Sequence, residues 1–187
     1  MTIPMRYRDA LWHGVGKAMP VQWCAELGGW LHSHRSTLRR GGDDQGTYRF
    51  NYELLDVERS CELLAPFRKL LTTELENALA PCMVDPFELE SIEMHATLYH
   101  HGSHFDWHTD ADEIETRQLA FAYYMHSTPK RFKGGDLEFI DGTLVPPDNN
   151  LLVLFNPRQK HRVREVECWS SGVLDGRWAL TGWLHKA

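Results

Sequence analysis

Residues 88–99 read Glu88-Leu89-Glu90-Ser91-Ile92-Glu93-Met94-His95-Ala96-Thr97-Leu98-Tyr99, and their alternation decides the fold. Ile92, Met94, Ala96 and Leu98 fall on one side of an extended chain, and Glu93, His95, Thr97 and Tyr99 on the other. That is the two-residue period of a strand with an apolar and a polar face. Residues 117–126 repeat the plan, with Leu119, Phe121, Tyr123 and Met125 opposite Gln118, Ala120, Ala122 and Tyr124. Leu137 with Phe139, the run 151–155, Val163 with Val166, and 178–184 add further short strands. Upstream of Pro86 the period is about 3.6 instead. Val21, Cys24, Leu27 and Leu31 follow Pro20 at helical spacing, and Phe67, Leu70, Leu71, Leu75 and Leu79 make the apolar stripe of a helix over 66–80 that Pro81 ends. The stretch 35–47 is too glycine-rich and charged for an element interior and reads as a loop. Helices followed by strands indicate an α+β chain, and strands with a polar inner face indicate a barrel or jelly roll enclosing a site.

The 187 residues suit one domain, divided into a mainly helical support region over 1–86 and a strand-built core over 87–187. With 42% apolar residues, 7 Trp, 8 Phe and 6 Tyr, the chain can bury a full core, which excludes disorder and collagen-like repeats. A net charge of -6 supplies no general attraction to nucleic acid or anionic lipid, so neither is expected as a partner. The start lacks the charged-then-apolar plan of a secretory signal and no long apolar run occurs, so a soluble cytoplasmic protein is expected. Cys24, Cys61, Cys82 and Cys168 form no CxxC pair, which argues against a zinc ribbon or dithiol motif and for reduced, mostly buried thiols. Histidine is the unusual count: eleven, with His95, His100, His101, His104 and His108 close together.

Within that cluster lie two overlapping triplets, His104-Phe105-Asp106 and His108-Thr109-Asp110. On a strand either would present imidazole and carboxylate from one face, so either pair can serve a metal. His161, after the apolar run 151–155 and the turn Asn156-Pro157-Arg158, is the candidate third ligand. Two histidines and one carboxylate occupy one face of an octahedral ion and leave the other positions open, the arrangement of non-haem Fe(II) oxygenases.

The segment Tyr99-x-x-Gly102-x-x-Phe105-x-x-His108-x-Asp110 resembles the metal-binding strand of the prolyl-4-hydroxylase-like Fe(II)/2-oxoglutarate dioxygenases. The likeness continues in order through Tyr123-Tyr124-Met125, Gly134-Gly135-Asp136-Leu137, the strand 150–155 and Arg177-Trp178-Ala179-Leu180-Thr181-Gly182-Trp183, covering about 90–185. It implies a double-stranded β-helix (jelly roll, cupin-like) with N-terminal supporting helices. It also implies Fe(II) as cofactor with 2-oxoglutarate and O2 as cosubstrates. Its spacing selects His108, Asp110 and His161 as metal ligands and leaves His104 and Asp106 out of contact with the ion. Arg177 corresponds to the basic residue that grips the distal carboxylate of 2-oxoglutarate, and a planar, permanently charged guanidinium suits that role on its own chemistry. Tyr124 is expected to add a hydrogen bond and Tyr99 to join them. Arg162 and Arg164 rank behind Arg177 because by parity they point away from His161.

The implied reaction is hydroxylation of an unactivated C–H bond of an amino acid, short peptide, prolyl residue or natural-product intermediate, with release of succinate and CO2. The partner is then a small molecule or a peptide. The carboxylate Asp110 argues against a halogenase, in which the family keeps that position small. The alternative is a non-catalytic cupin-like protein holding a metal or ligand through the same residues. Around the site, His104, Asp106 and Trp107 are expected at the pocket mouth and Trp178 and Trp183 in the core. Arg49-Phe50-Asn51 sits where the family often places a substrate-facing strand, with a solvated surface Arg49 as the alternative, and 130–133 reads as an exposed turn. Residues 168–176, within the sixteen-residue step from His161 to Arg177, read as an inserted hairpin loop.

Overall fold

The computed structural model describes residues 11–42, 48–54, 57, 62–110 and 116–187. The start of the chain, positions 43–47 of the expected loop and Cys61 lie outside these. In chain order the elements are β1 (Trp12–Gly16), α1 (Val21–Ser33), β2 (Arg39–Gly41), β3 (Arg49–Leu54), α2 (Ala65–Leu79), β4 (Leu89–Tyr99), β5 (His104–His108), β6 (Arg117–Met125), β7 (Phe132–Gly134), β8 (Leu137–Phe139), β9 (Leu144–Val145), β10 (Leu151–Phe155), β11 (His161–Val163), β12 (Val166–Cys168) and β13 (Arg177–Lys186).

The larger sheet runs β1-β10-β6-β13-β4-β3, antiparallel throughout, and continues through β3 into a smaller sheet β3-β5-β11-β8-β9. β3 is the corner strand: Arg49 and Phe50 pair with β5, while Tyr52 to Leu54 pair with β4. A strand that changes sheets in this way closes two layers over a shared interior. Four neighbouring strands of the larger sheet display the alternation expected of them. Met94, Ala96, Leu98, Leu119, Phe121, Tyr123, Met125, Leu152, Leu154, Trp178, Leu180 and Leu184 turn to the helices. Ala120, Ala122, Tyr124, Val153, Phe155 and Ala179 turn inward, where they meet Leu137, Phe139 and Val145 of the smaller sheet.

The helices are anchored by aromatics. Trp23 stacks on Phe67 at 5.8 Å between centroids, Phe67 packs against Tyr123 at 5.0 Å, and the Trp23 indole N–H donates to the Leu63 carbonyl at 2.8 Å. Full burial of such a side chain contributes roughly 1.5–3 kcal/mol. In α1 the buried face is Trp23, Leu27 and Leu31, whereas Val21, expected on it, is exposed. Pro20 sits just before the first turn as the N-cap residue.

Besides β3, the residues upstream of Pro86 hold two strands that helical periodicity did not suggest. β1 is an edge strand on β10, and β2 occupies 39–41 of the expected loop, paired with β3. Phe132, expected in an exposed turn, is buried and opens β7. Residues 168–176 form no hairpin: β12 pairs with β7, and a 3-10 turn at Val173–Asp175 leads into β13. The glycines at 134 and 135 both take positive φ, 73° and 74°. Gly134 is pressed against the Glu165 backbone, and a Cβ on Gly135 would stand 2.7 Å from Arg177 Cδ. Cys24, Cys82 and Cys168 are free. Among the described residues no helix is long and apolar enough to cross a membrane.

Candidate metal and anion site

β5 and β11 pair so that His108 lies directly opposite His161. The next matched pair is Phe105 with Val163, so two residues of β5, Asp106 and Trp107, face the single Arg162 across the ladder. Such a bulge reverses the alternation of the strand. It turns both Phe105 and His108 into the interior, and it separates the two overlapping triplets. His104 Nδ1 is held by the Gly102 carbonyl at 3.1 Å, Asp106 is exposed and accepts the Trp107 amide, and Trp107 carries the Arg162 guanidinium at 4.7 Å. None of these three lines the cavity.

Asp110 lies beyond the end of β5 and reaches between the two imidazoles. Its Oδ1 is 3.6 Å from His108 Nε2 and its Oδ2 is 3.6 Å from His161 Nε2. The donor atoms of the three residues all lie within 4.8 Å of one another, a group able to hold a metal ion. The tautomers follow from the other ring nitrogens. His108 Nδ1 lies 2.6 Å from the Asp106 carbonyl and His161 Nδ1 lies 2.8 Å from the Gln159 carbonyl. A carbonyl only accepts, so each Nδ1 carries the proton and each Nε2 keeps its lone pair free. Burial and the nearby His161 push the His108 pKa down to about 4, which keeps that ring neutral. Phe105 stacks on His108 at 3.6 Å, and Phe155 meets His161 edge-on at 4.8 Å.

From these residues the cavity, about 110 Å3, runs between the sheets to Arg177. Arg177 is 2% exposed, and its guanidinium lies 4.8 Å from the rings of both Tyr99 and Tyr124. Its Nε and Nη1, and the Tyr124 hydroxyl, are buried with no hydrogen-bond partner. Burial raises both phenol pKa values, opposed by the positive charge of Arg177. A buried cation with orphaned donors is costly unless an anion meets it, so this end of the cavity is built for a negatively charged group. Arg162 and Arg164 pair instead with Glu138 on the outside.

Several cavity residues differ from the expectation of the sequence. Trp183, expected in the core, lines the cavity with Thr181, both on the Arg177 face of β13, and His95 lies beside Trp183 at 5.8 Å between rings. The two-residue period of β13 and β4 carried that signal. Arg49 and Glu53 also line the cavity; they pair with each other, and Arg49 lies over Phe105 at 4.9 Å.

Residues 94–185 match the profile of the 2OG-Fe(II) oxygenase superfamily. Over those residues, just under half of the chain, the sequence is similar to that superfamily. Its members use Fe(II), 2-oxoglutarate and O2, and the partly buried His-Asp-His group is a fitting donor set for such an ion. An uncharacterized PKHD-type hydroxylase of Synechocystis sp. is 30% identical over 154 residues, covering 74% of this chain. The chain spans about half the length of that relative, 50%. A prolyl-4-hydroxylase of Pseudomonas putida superposes with a TM-score of 0.74 at 19% identity, over 96% of this chain and 94% of that one. A Trichoplax adhaerens prolyl hydroxylase, solved with a hypoxia inducible factor peptide fragment, gives 0.66 at 16% identity over 95% and 84%. These likenesses establish the double-stranded β-helix, with its supporting helices, as the fold.

Proposed function

We propose that the protein is an Fe(II)- and 2-oxoglutarate-dependent dioxygenase that hydroxylates an unactivated C–H bond of a small molecule or peptide. Amino acids, prolyl residues and natural-product intermediates are the substrate classes in view. The observation that carries this reading is the buried Arg177 guanidinium, with Nε and Nη1 unpartnered, on the same cavity as His108, Asp110 and His161. When bound, iron, 2-oxoglutarate and O2 together supply the oxidation and leave succinate and CO2.

The chain's own part is to bind and to exclude. His108 and His161 offer Nε2 lone pairs, aimed by their bonds to the Asp106 and Gln159 carbonyls, and Asp110 supplies the anionic donor. Arg177 and the Tyr124 hydroxyl hold the far carboxylate of the cosubstrate, and Tyr99 forms the opposite wall of that pocket. Ala122 and Thr181 leave space between the two ends, while Phe105 and Phe155 keep water from the histidine rings. The peptide-bound Trichoplax neighbour and the prolyl hydroxylase neighbours support a peptide among the possible substrates.

The test is an anaerobic titration of the metal-free protein with Fe(II) and 2-oxoglutarate, following the visible charge-transfer band of a chelated keto acid. A band lost in His108→Ala is the expected result. A folded, metal-loaded protein without any band rejects the dioxygenase reading in favour of a cupin-like binding protein.

A further inference from the structure

We infer that Arg117 is a positioning residue for Asp110, the one member of the His-Asp-His group that no strand ladder holds. The inference rests on the proposed metal site and concerns how its carboxylate is kept in place.

Asp110 is fixed through both of its backbone polar groups. Its amide N–H donates to the Pro157 carbonyl at 2.8 Å, tying it to the turn that precedes His161. Its carbonyl accepts from Arg117 Nη1 at 3.0 Å. Arg117 begins β6, so this bond ties the ligand-bearing residue to the larger sheet across the cavity from β5. The guanidinium is itself locked. Nη2 donates to both oxygens of Glu93, at 3.3 and 3.1 Å, and the plane lies 3.5 Å from the Trp183 ring centroid. Glu93 in turn accepts from His95 at 2.9 Å and lies 3.2 Å from His185 Nε2.

Each part has a physical purpose. Only a guanidinium offers donors in two directions from one rigid plane while stacking on an indole, so lysine cannot reproduce the arrangement. The Glu93 carboxylate aims the plane, and the attraction of the Arg117 and His95 side chains holds its pKa below the usual carboxylate range despite burial. Asp110 is thereby presented at 3.6 Å from both imidazoles before any ion arrives. A ligand held in advance loses less freedom when it binds, which is why partners outside a metal's ligand set typically change affinity by 10–100-fold.

The experiment measures Mn(II) affinity by electron paramagnetic resonance and the Co(II) d–d absorption spectrum on the metal-free full chain. It compares wild type, Arg117→Lys, Glu93→Gln, the double variant, the ligand-deletion variant His108→Ala and the control Arg162→Gln, with a melting curve for each. Affinity about tenfold weaker in Arg117→Lys and Glu93→Gln is expected. The double variant should be little worse than either single one, because the two side chains act as one unit. The Co(II) spectrum should change and Arg162→Gln should match wild type. Affinity within twofold of wild type in a folded Arg117→Lys overturns the inference. If that variant does not fold, Glu93→Gln decides by the same measure. Wild type that binds neither ion, like His108→Ala, overturns the metal-site reading and this inference with it. Affinity in Arg117→Lys within twofold of wild type, with binding lost in His108→Ala, overturns the inference alone.

Discussion

Replacing Arg177 with methionine should separate two things that usually move together, stability and cosubstrate binding. Methionine keeps much of the length of the side chain and removes the charge. In the free protein the guanidinium is 2% exposed with Nε and Nη1 unpartnered. Each unsatisfied buried donor costs roughly 1–3 kcal/mol. Against that stand the contacts with Tyr99 and Tyr124, both at 4.8 Å, worth roughly 0.5–2 kcal/mol each. The two sets nearly cancel, so the metal-free Arg177→Met protein should melt within a few degrees of wild type, at ~2–4 °C per kcal/mol for a chain of this size. Binding behaves otherwise. A desolvated carboxylate that loses its charged partner forfeits about 2–5 kcal/mol, which weakens 2-oxoglutarate by roughly 30-fold to several thousand-fold. Calorimetric titration of 2-oxoglutarate into Mn(II)-loaded protein reads this directly. Arg49→Met is the control, because its guanidinium, the only other one lining the cavity among the described residues, already has its charge met by Glu53. Affinity within threefold of wild type in Arg177→Met would refute the assignment. So would a loss of more than about 3 kcal/mol of stability in the metal-free variant, which would make Arg177 a structural pillar rather than an anion grip.

A second prediction concerns pH. Burial and the neighbouring His161 push the His108 pKa from the ordinary imidazole value near 6.5 down to about 4 on folding. Below about pH 6.5 the unfolded chain therefore takes up a proton that the fold refuses. Metal-free wild type should lose up to about 3 kcal/mol as pH falls from 6.5 to 4, a loss that His108→Gln lacks. Parallel stability curves for the two proteins would contradict it. A third uses the glycines. Gly135→Ala and Gly142→Ala both place a side chain at positive φ, 74° and 87°, costing about 1–2 kcal/mol. Only the former meets Arg177, at 2.7 Å from Cδ, whereas nothing lies within 4 Å at Gly142. Denaturant melts should show both losses, while 2-oxoglutarate titration should show weakened binding in Gly135→Ala alone.

The larger sheet was legible because burial on one face writes itself into alternation, as in Met94, Ala96 and Leu98 against His95, Thr97 and Tyr99. The same parity put Arg177, Ala179 and Thr181 together, and it extended to Trp183, where bulk and hydrophobicity pointed to the core instead. β1, with its sequence WHGVG, and β2, with RRG, were illegible for a different reason. Short edge strands are held by backbone pairing to a neighbour, and neither alternation nor β-propensity is required of them. The choice between the two His-x-Asp triplets lay beyond simple parity, since it turns on an extra residue in β5 that only pairing with β11 reveals. The bond from Arg117 to the Asp110 carbonyl is equally silent in the sequence, because a main-chain acceptor leaves no mark on side-chain identity.

That extra residue in β5 means the site counts positions as well as reading them. Asp106 and Trp107 face outward, so their side chains can vary with little effect on the interior, but their number cannot. Removing one would restore strict alternation between Phe105 and its successors and rotate the following histidine to the solvent side. Adding one would shift it past His161 along the ladder. Two outward-facing positions thus act as a spacer whose length, independent of its chemistry, decides whether His108 and His161 meet.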